Sequence, residues 1–362
     1  MTSFKSSLAT LVAGVLLTGA ACAAELKQVA AIPVPGQTLK NFDVGMVDQT
    51  TGTYYLADRS NAGVDMFDTA TDRYTGRLGT FAGAVMKGDK VDNDHSGPDG
   101  VLKVGDELWT GDGDSSIKIF NLTTGAVTAT LNTGGKTRLD EMAFDPKDHI
   151  FIGVNNAEDP PYATLMSTAA DHKVLGKIVF SDATDGAEQP AYNPADGMFY
   201  ESIPELGKDP KRGAVAVIDP RTAKLVKMLP VENCHPTGLA FGPDGNFVLG
   251  CNASGKQGMP PITVVMHAAS GAVVATVAGV GGADMVNYNA HNNQYYTASR
   301  LNPGGPVLGV IDAGTNKLVQ TIAIKGGYPH SVASAEANGQ VFVPVGAIND
   351  GDATIHVYAP AQ

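Results

Sequence analysis

Sustained helical periodicity is missing from this 362-residue chain, which argues against a helical fold. Beyond the N-terminus no apolar run is long enough to cross a bilayer as a helix. Cysteine is scarce, with three residues in all, and neither Cys-x-x-Cys-His for haem nor zinc-type spacing occurs. The Gly-x-Ser-x-Gly elbow and the His-Glu-x-x-His zinc motif are also absent, and no complete phosphate loop occurs: Gly250 to Lys256 has the Gly-x-x-x-x-Gly-Lys spacing, but Gln257 stands where the loop needs Ser or Thr. Basic side chains are outnumbered, 25 Lys and Arg against 37 Asp and Glu. An acidic surface repels phosphate backbones, so general nucleic-acid binding is disfavoured. Aromatics make up only 7% of the chain, with Trp109 the single tryptophan, which gives little material for an exposed apolar docking patch.

Residues 1–24 read as a cleaved secretory leader: Lys5 supplies charge, Leu8 to Leu17 a short apolar core, and Ala21-Cys22-Ala23-Ala24 a small-residue cleavage region. Cys22 raises a lipoprotein alternative, against which Gly19 stands where a lipobox normally has Leu. The mature chain, 25–362, then carries a net charge of −13 and is expected in the periplasm or secreted, as one domain and a monomer. Cys234 and Cys251 remain; two cysteines in an exported chain suggest one disulfide, with two separate buried thiols as the alternative.

What the chain does have is a repeat. Leu139-Asp140-Glu141-Met142-Ala143-Phe144-Asp145-Pro146 overlays Pro236-Thr237-Gly238-Leu239-Ala240-Phe241-Gly242-Pro243, and Gln189 to Pro194 and Pro329 to Ala333 join them. One column of the overlay holds Asp43, Asp99, Asp140, Glu188, Thr237, Asp284 and His330, at steps of 56, 41, 48, 49, 47 and 46 residues. Such a period points to an array of similar units. Each unit reads as four short strands: in the fifth, Gly238 to Phe241, Phe247 to Cys251, Ile262 to Met266 and Val273 to Val277, separated by Gly, Pro, Asn and Asp turns. Four antiparallel strands per unit make a propeller blade, so the expected fold is an all-β, seven-bladed β-propeller. The seventh unit lacks an outer strand, which Leu26 to Ile32 can supply to close the ring. The long first step is explained by an insertion from Ala82 to Gly97.

The phrase Pro236 to Gly245 resembles the blade signature of YVTN-repeat, NHL and SMP-30/gluconolactonase-like propellers, as does Val217-Ile218-Asp219-Pro220-Arg221-Thr222-Ala223-Lys224-Leu225-Val226. The resemblance spans nearly the whole mature chain and implies an architecture rather than a reaction. For SMP-30-like lactonases it implies an acidic and amide ligand set at the channel mouth, which falls here on Asp43, Asp140, Asp284 and Asn155 or Asn252. The acidic motif that opens that family's sequences is absent.

In a blade the innermost strand starts at the mouth of the axial channel and the second strand returns to it. The column residues therefore ring one mouth, with a partial outer ring at Asp58, Asp112, Asn155, Ser202, Asn252, Ser299 and Gly346. The same register brings Cys234 near Cys251. Five carboxylates around a narrow channel require raised pKa values or a cation among them. Asp43, Asp99, Asp140, Glu188, Asp284 and His330 are the candidate metal ligands; oxygen donors favour calcium or magnesium, and the histidine also tolerates zinc or manganese. Asp58, Asp112, Asn155, Thr237 and Asn252 are candidate contacts for a ligand on the same face. A plainer explanation is local: Asp and Asn cap turns and bond backbone amides without any ligand.

Asp92 to Gly97 looks like half of a calcium loop, but Lys103 stands where the bidentate Glu would be, so it reads mainly as a solvated insertion, or a lid beside Asp99. Glu141 adjoins the ring, and strand alternation turns it away from the channel. His235 reads as a turn residue. Together these features predict an exported YVTN-type propeller that binds a divalent cation or a small polar ligand at an acid-lined mouth. The rivals are a metal-dependent lactonase-like hydrolase and a metal-free scaffold for a protein partner.

Overall fold

A computed structural model describes residues 24–252, 258–348 and 353–361. The leader's charge, apolar core and Cys22 lie outside the described residues. Seven antiparallel sheets form a ring; in six of them the chain-order first strand is innermost, and in the seventh the N-terminal strand is outermost. The chain is a seven-bladed β-propeller. Blade 3, for example, runs Met142–Asp145, Ile150–Asn155, Tyr162–Ser167 and Val174–Val179.

Burial follows radial position. Second strands are sandwiched between neighbouring blades on both faces, so all six residues of Ile150–Asn155 and all six of Gln294–Ser299 are buried. The outermost strands meet solvent at the rim, and most of Val127–Asn132 and Val273–Ala278 is exposed or half-exposed. Because successive side chains on a strand point to opposite faces, each second strand feeds two seams. In blade 4, Phe199 and Ile203 pack against blade 3 residues Ile152 and Leu165, while Tyr200 joins Leu239, Phe247 and Leu249 of blade 5. Glu201 shares the parity of Phe199 and Ile203, so it turns into the apolar seam between blades 3 and 4.

Closure uses both ends of the chain. Leu26–Pro33 pairs antiparallel with Thr354–Pro360, from Leu26 opposite Pro360 to Pro33 opposite Thr354, and completes blade 7. The N-terminal strand covers the edge of Thr354–Pro360 that would otherwise be open to another chain.

The overlay column is also a backbone position. The amide N–H of Asp43 donates to Ala57 O at 2.9 Å, of Asp99 to Gly111 O at 3.1 Å, of Asp140 to Val154 O at 2.8 Å, of Glu188 to Ser202 O at 2.8 Å and of Asp284 to Ala298 O at 3.3 Å. Each of these residues lies two before its inner strand and is tied to the second strand of its own blade. In blade 7 the inner strand is broken, Gly327–Pro329 and Ala333–Ser334 both pairing with Val341–Ala347, and His330 sits in the break. The insertion adds a short hairpin, Met86–Lys87 with Lys90–Val91, and a single turn at Asn93–His95. It is largely exposed, but Asp94 O accepts from the Arg138 N–H at 2.7 Å, which pins the turn over the mouth.

Candidate functional site

Three arginines and a histidine enter the acidic ring. Arg59 pairs with both Asp43 and Asp99, and all three are buried. Arg138 reaches Asp140 at 2.8 Å, Asp43 at 3.3 Å and Asp99 at 3.8 Å. Arg300 pairs with Asp284, and His330 bridges Asp43 and Asp284 at 3.1 Å each. Burial favours the neutral form of Asp43, but Arg59, then His330 and Arg138, outweigh it and hold the carboxyl far below the usual range. Burial likewise opposes ionisation of Asp284, yet Arg300 and His330 bring it down to about 2. Burial lowers His330 while Asp284 and Asp43 raise it, and the net direction is upward. Asp99 goes the other way: its complete burial pushes it well up despite Arg59 and Arg138.

Across the mouth, on blades 3 and 4, carboxyls outnumber cations. Asp140 shares Arg138 with two other aspartates, and burial leaves it raised to about 6. Among the described residues, Glu141, Glu188 and Glu201 have no side-chain hydrogen-bond or ion-pair partner. Glu141 is 6% exposed with Oε2 unpartnered, and Glu201 is 0% exposed with both oxygens unpartnered. All three are pushed well above the glutamate range, first by burial and then by each other and Asp140. The expectation that Glu141 faces away from the channel is thereby corrected. Its strand face is turned toward blade 4, but at the mouth the seam between the blades opens into the channel, so the side chain lines the cavity there.

That cavity occupies the mouth, at the centre of the ring, with a volume of 190 Å3. Asp43, Asp140, Glu188, Asp284 and His330 line it, as do Arg59, Arg138, Arg300, Asn93 and Asn252. Its apolar surface comes from Phe42 and Tyr328, stacked with ring centroids 5.7 Å apart. Asn252 donates to Asp284 Oδ1 at 3.2 Å, and its own Oδ1 is buried without a partner.

The other expected ligand contacts stand outside the wall. Asp58 accepts from Asn61 and, with Asp65, faces Arg77 in blade 1; the two carboxyls share a hydrogen bond, and burial raises Asp65 to about 8. Asp112 accepts from Lys118 Nζ at 2.7 Å and from the Ala82 and Gly113 amides. Asn155 accepts from Thr133 at 2.7 Å and donates to Ser115 at 2.9 Å. Thr237 donates to the Ala283 and Asp284 carbonyls, at 3.1 and 3.0 Å. Cys234 and Cys251 are joined in a disulfide with their Cα atoms 4.6 Å apart.

Turn capping accounts for Asp and Asn on the opposite rim but not at the mouth. Asp48, Asp145, Asn193 and Asn289 accept from backbone amides two or three residues on. So do Asp68, Asn121, Asp219 and Asp312 between the third and fourth strands. By contrast Asp43, Asp140 and Asp284 meet side chains from other parts of the ring.

Among the described residues, two groups bring three possible metal-donor atoms within 4.8 Å of one another: Asp43, Asp99 and Asp140, and Asp185, Glu205 and His235. In the first, Arg59 and Arg138 already sit among the carboxylates. In the second, His235 Nε2 lies 2.9 Å from Asp185 on the loop side of blade 4. The arginines had a signal in the sequence: Arg59 follows Asp43 by 16 residues and Arg300 follows Asp284 by 16, so the overlay holds them in one column.

No protein-family model matches the chain, and no curated protein matches it significantly. The ring of blades supports membership of the β-propeller superfamily and no finer family.

Proposed function

We propose that this is an exported binding propeller of the YVTN type that takes a small polar ligand in the cavity at the channel mouth. One observation carries the reading: a partly open, almost wholly polar cavity at the centre of the ring, in whose wall buried acceptors are left without donors. Leaving such groups unsatisfied costs about 1–3 kcal/mol each, and a ligand that bonds them recovers that cost. Ligand sites are concave and fixed by a few convergent polar groups, as here. Export is supported by the leader pattern of residues 1–24 and by the disulfide, which suits an oxidising compartment. Native mass spectrometry of the purified mature protein, with thermal melts against a panel of small polar compounds, tests the reading. Glu188→Arg, which fills the mouth, should abolish any mass adduct or stabilisation; ligands that still bind this variant would place the site elsewhere.

A second reading is favoured by the spacing of Asp43, Asp99 and Asp140: a divalent ion, calcium or magnesium by donor type, that could polarise a carbonyl in a lactonase-like hydrolysis. Against it, an ion there must displace the guanidinium groups that already supply positive charge. Elemental analysis with melts before and after chelation separates the two. A stoichiometric ion whose removal lowers the melting temperature would favour the metal reading.

A further inference from the structure

Among the described residues, the cavity wall is short of donors on blades 3, 4 and 5. On blades 1, 2, 6 and 7 the aspartates meet Arg59, Arg300 and His330. On blades 3, 4 and 5 the wall presents Glu141, Glu188 and Asn252, with unpartnered buried acceptors at Glu141 Oε2 and Asn252 Oδ1, and Glu201 lies behind them in the seam. Arg138 is the one guanidinium on this side, and its contacts go to Asp140, Asp43 and Asp99. A group that would complete this sector must be positive and must donate several hydrogen bonds.

Spacing separates the kinds of cation. A bare calcium ion binds oxygens at about 2.3–2.6 Å, which holds its ligand atoms within roughly 5 Å of each other. Glu141, Glu188 and Glu201 do not bring donor atoms within 4.8 Å of one another, unlike the two groups that do. An ammonium needs no closed cage of three carboxylates: one or two carboxylate oxygens at about 2.7–2.9 Å take part of its three donors, and the rest can go to an amide oxygen or to water. A quaternary ammonium has the charge but no donor, and would leave the buried oxygens unsatisfied. Opposite this sector Phe42 and Tyr328 supply an aromatic edge of the wall, which the carbon end of a short amine can touch.

We propose that the ligand is a small primary amine, its ammonium held by Glu141, Glu188 and Asn252 and its alkyl part against Phe42 and Tyr328. Glu201 serves as a buried counter-charge behind the site. This rests on the mouth cavity being the binding site and names the class of ligand it takes.

Calorimetric titration of the mature protein with butylamine and 1,4-diaminobutane tests it, beside butyltrimethylammonium, 1,4-butanediol and calcium chloride. The primary amines should bind, with the quaternary compound about tenfold or more weaker and the diol silent. Glu141→Gln and Glu188→Gln should each lower amine affinity about tenfold with the fold intact by circular dichroism; Glu188, at the half-exposed edge, is the safer of the two for folding. Equal binding of the quaternary compound, or amine affinity untouched in both variants, overturns the proposal. Binding of the diol or calcium alone, lost in Glu188→Arg, would overturn the amine and keep the cavity as the site. No binding by any probe would count against both.

Discussion

The two halves of the mouth ring are built from the same backbone position and the same residue types, yet they solve burial differently. On blades 1, 2, 6 and 7 every aspartate has a cation from the protein beside it, and Asp43 and Asp284 are held ionised. On blades 3 and 4 one arginine is shared among several carboxyls, and the glutamates are pushed toward their neutral forms. The first half is the better compensated: its carboxylates meet cations, although burial still pushes Asp99 up and leaves its Oδ2 without a partner. The second is the less compensated. A buried charge without a partner is expensive in any fold, so the place where a protein tolerates it is where a ligand is expected to supply the missing half.

The sharpest way to break this contrast is to remove one charge from each half. Arg59→Met leaves Asp43 and Asp99 buried with less compensation, and breaking a buried pair in this way costs about 3–5 kcal/mol. Glu201→Gln removes a carboxyl that has no partner to lose, so it should be neutral or stabilising near pH 7. Denaturant melts of the two variants measure both. Equal destabilisation would mean that Glu201 has a partner in the folded protein, and the two halves would no longer differ.

Two sets of carboxyls titrate in opposite senses, and the raised set includes Asp99 on blade 2 as well as the carboxyls of blades 3 and 4. Carboxyls with raised folded pKa values keep protons that the unfolded chain has already released by about pH 5, so their contribution falls as pH rises through the folded value. Asp140 at about 6 and Asp65 at about 8 belong to this set, with Glu141, Glu188 and Glu201. Asp284, lowered to about 2, contributes fully above the usual aspartate range and is lost only as pH falls toward that value. The melting temperature should therefore be higher at about pH 5 than at about pH 8.5, by roughly 5 °C. Glu201→Gln should reduce the difference. A melting temperature that rises over this interval would contradict the raised set as a whole, and a difference unchanged in Glu201→Gln would remove Glu201 from it.

The blades and their closure were legible because their signals are local and repeated. Turn residues flank short apolar runs, and the missing strand of the seventh unit has one source, at Leu26 to Ile32. The overlay column was legible for the same reason. Its neutralisation was harder to read, since Arg138 meets Asp43 across 95 residues of sequence and two blades. Arg59 and Arg300 had a repeated position but drew no notice as a column of two. Glu141 was misread because alternation separates the two faces of a strand, whereas at a propeller mouth the seam between two blades opens into the channel.

Thr237 marks the boundary between the halves and gives the smallest test. It is the one column residue with neither charge nor a titratable group, and it lies inside the strand Pro236–Phe241 rather than ahead of it. Its hydroxyl donates to backbone carbonyls of the loop leading into blade 6, so its role is to join blade 5 to that loop. Thr237→Val keeps the shape and removes the donor, which should cost about 1 kcal/mol in a denaturant melt. Ligand affinity at the mouth should stay within about twofold, because Thr237 is not part of the cavity wall. If affinity instead drops with stability unchanged, the binding sector reaches past Asn252 to the inner strand of blade 5.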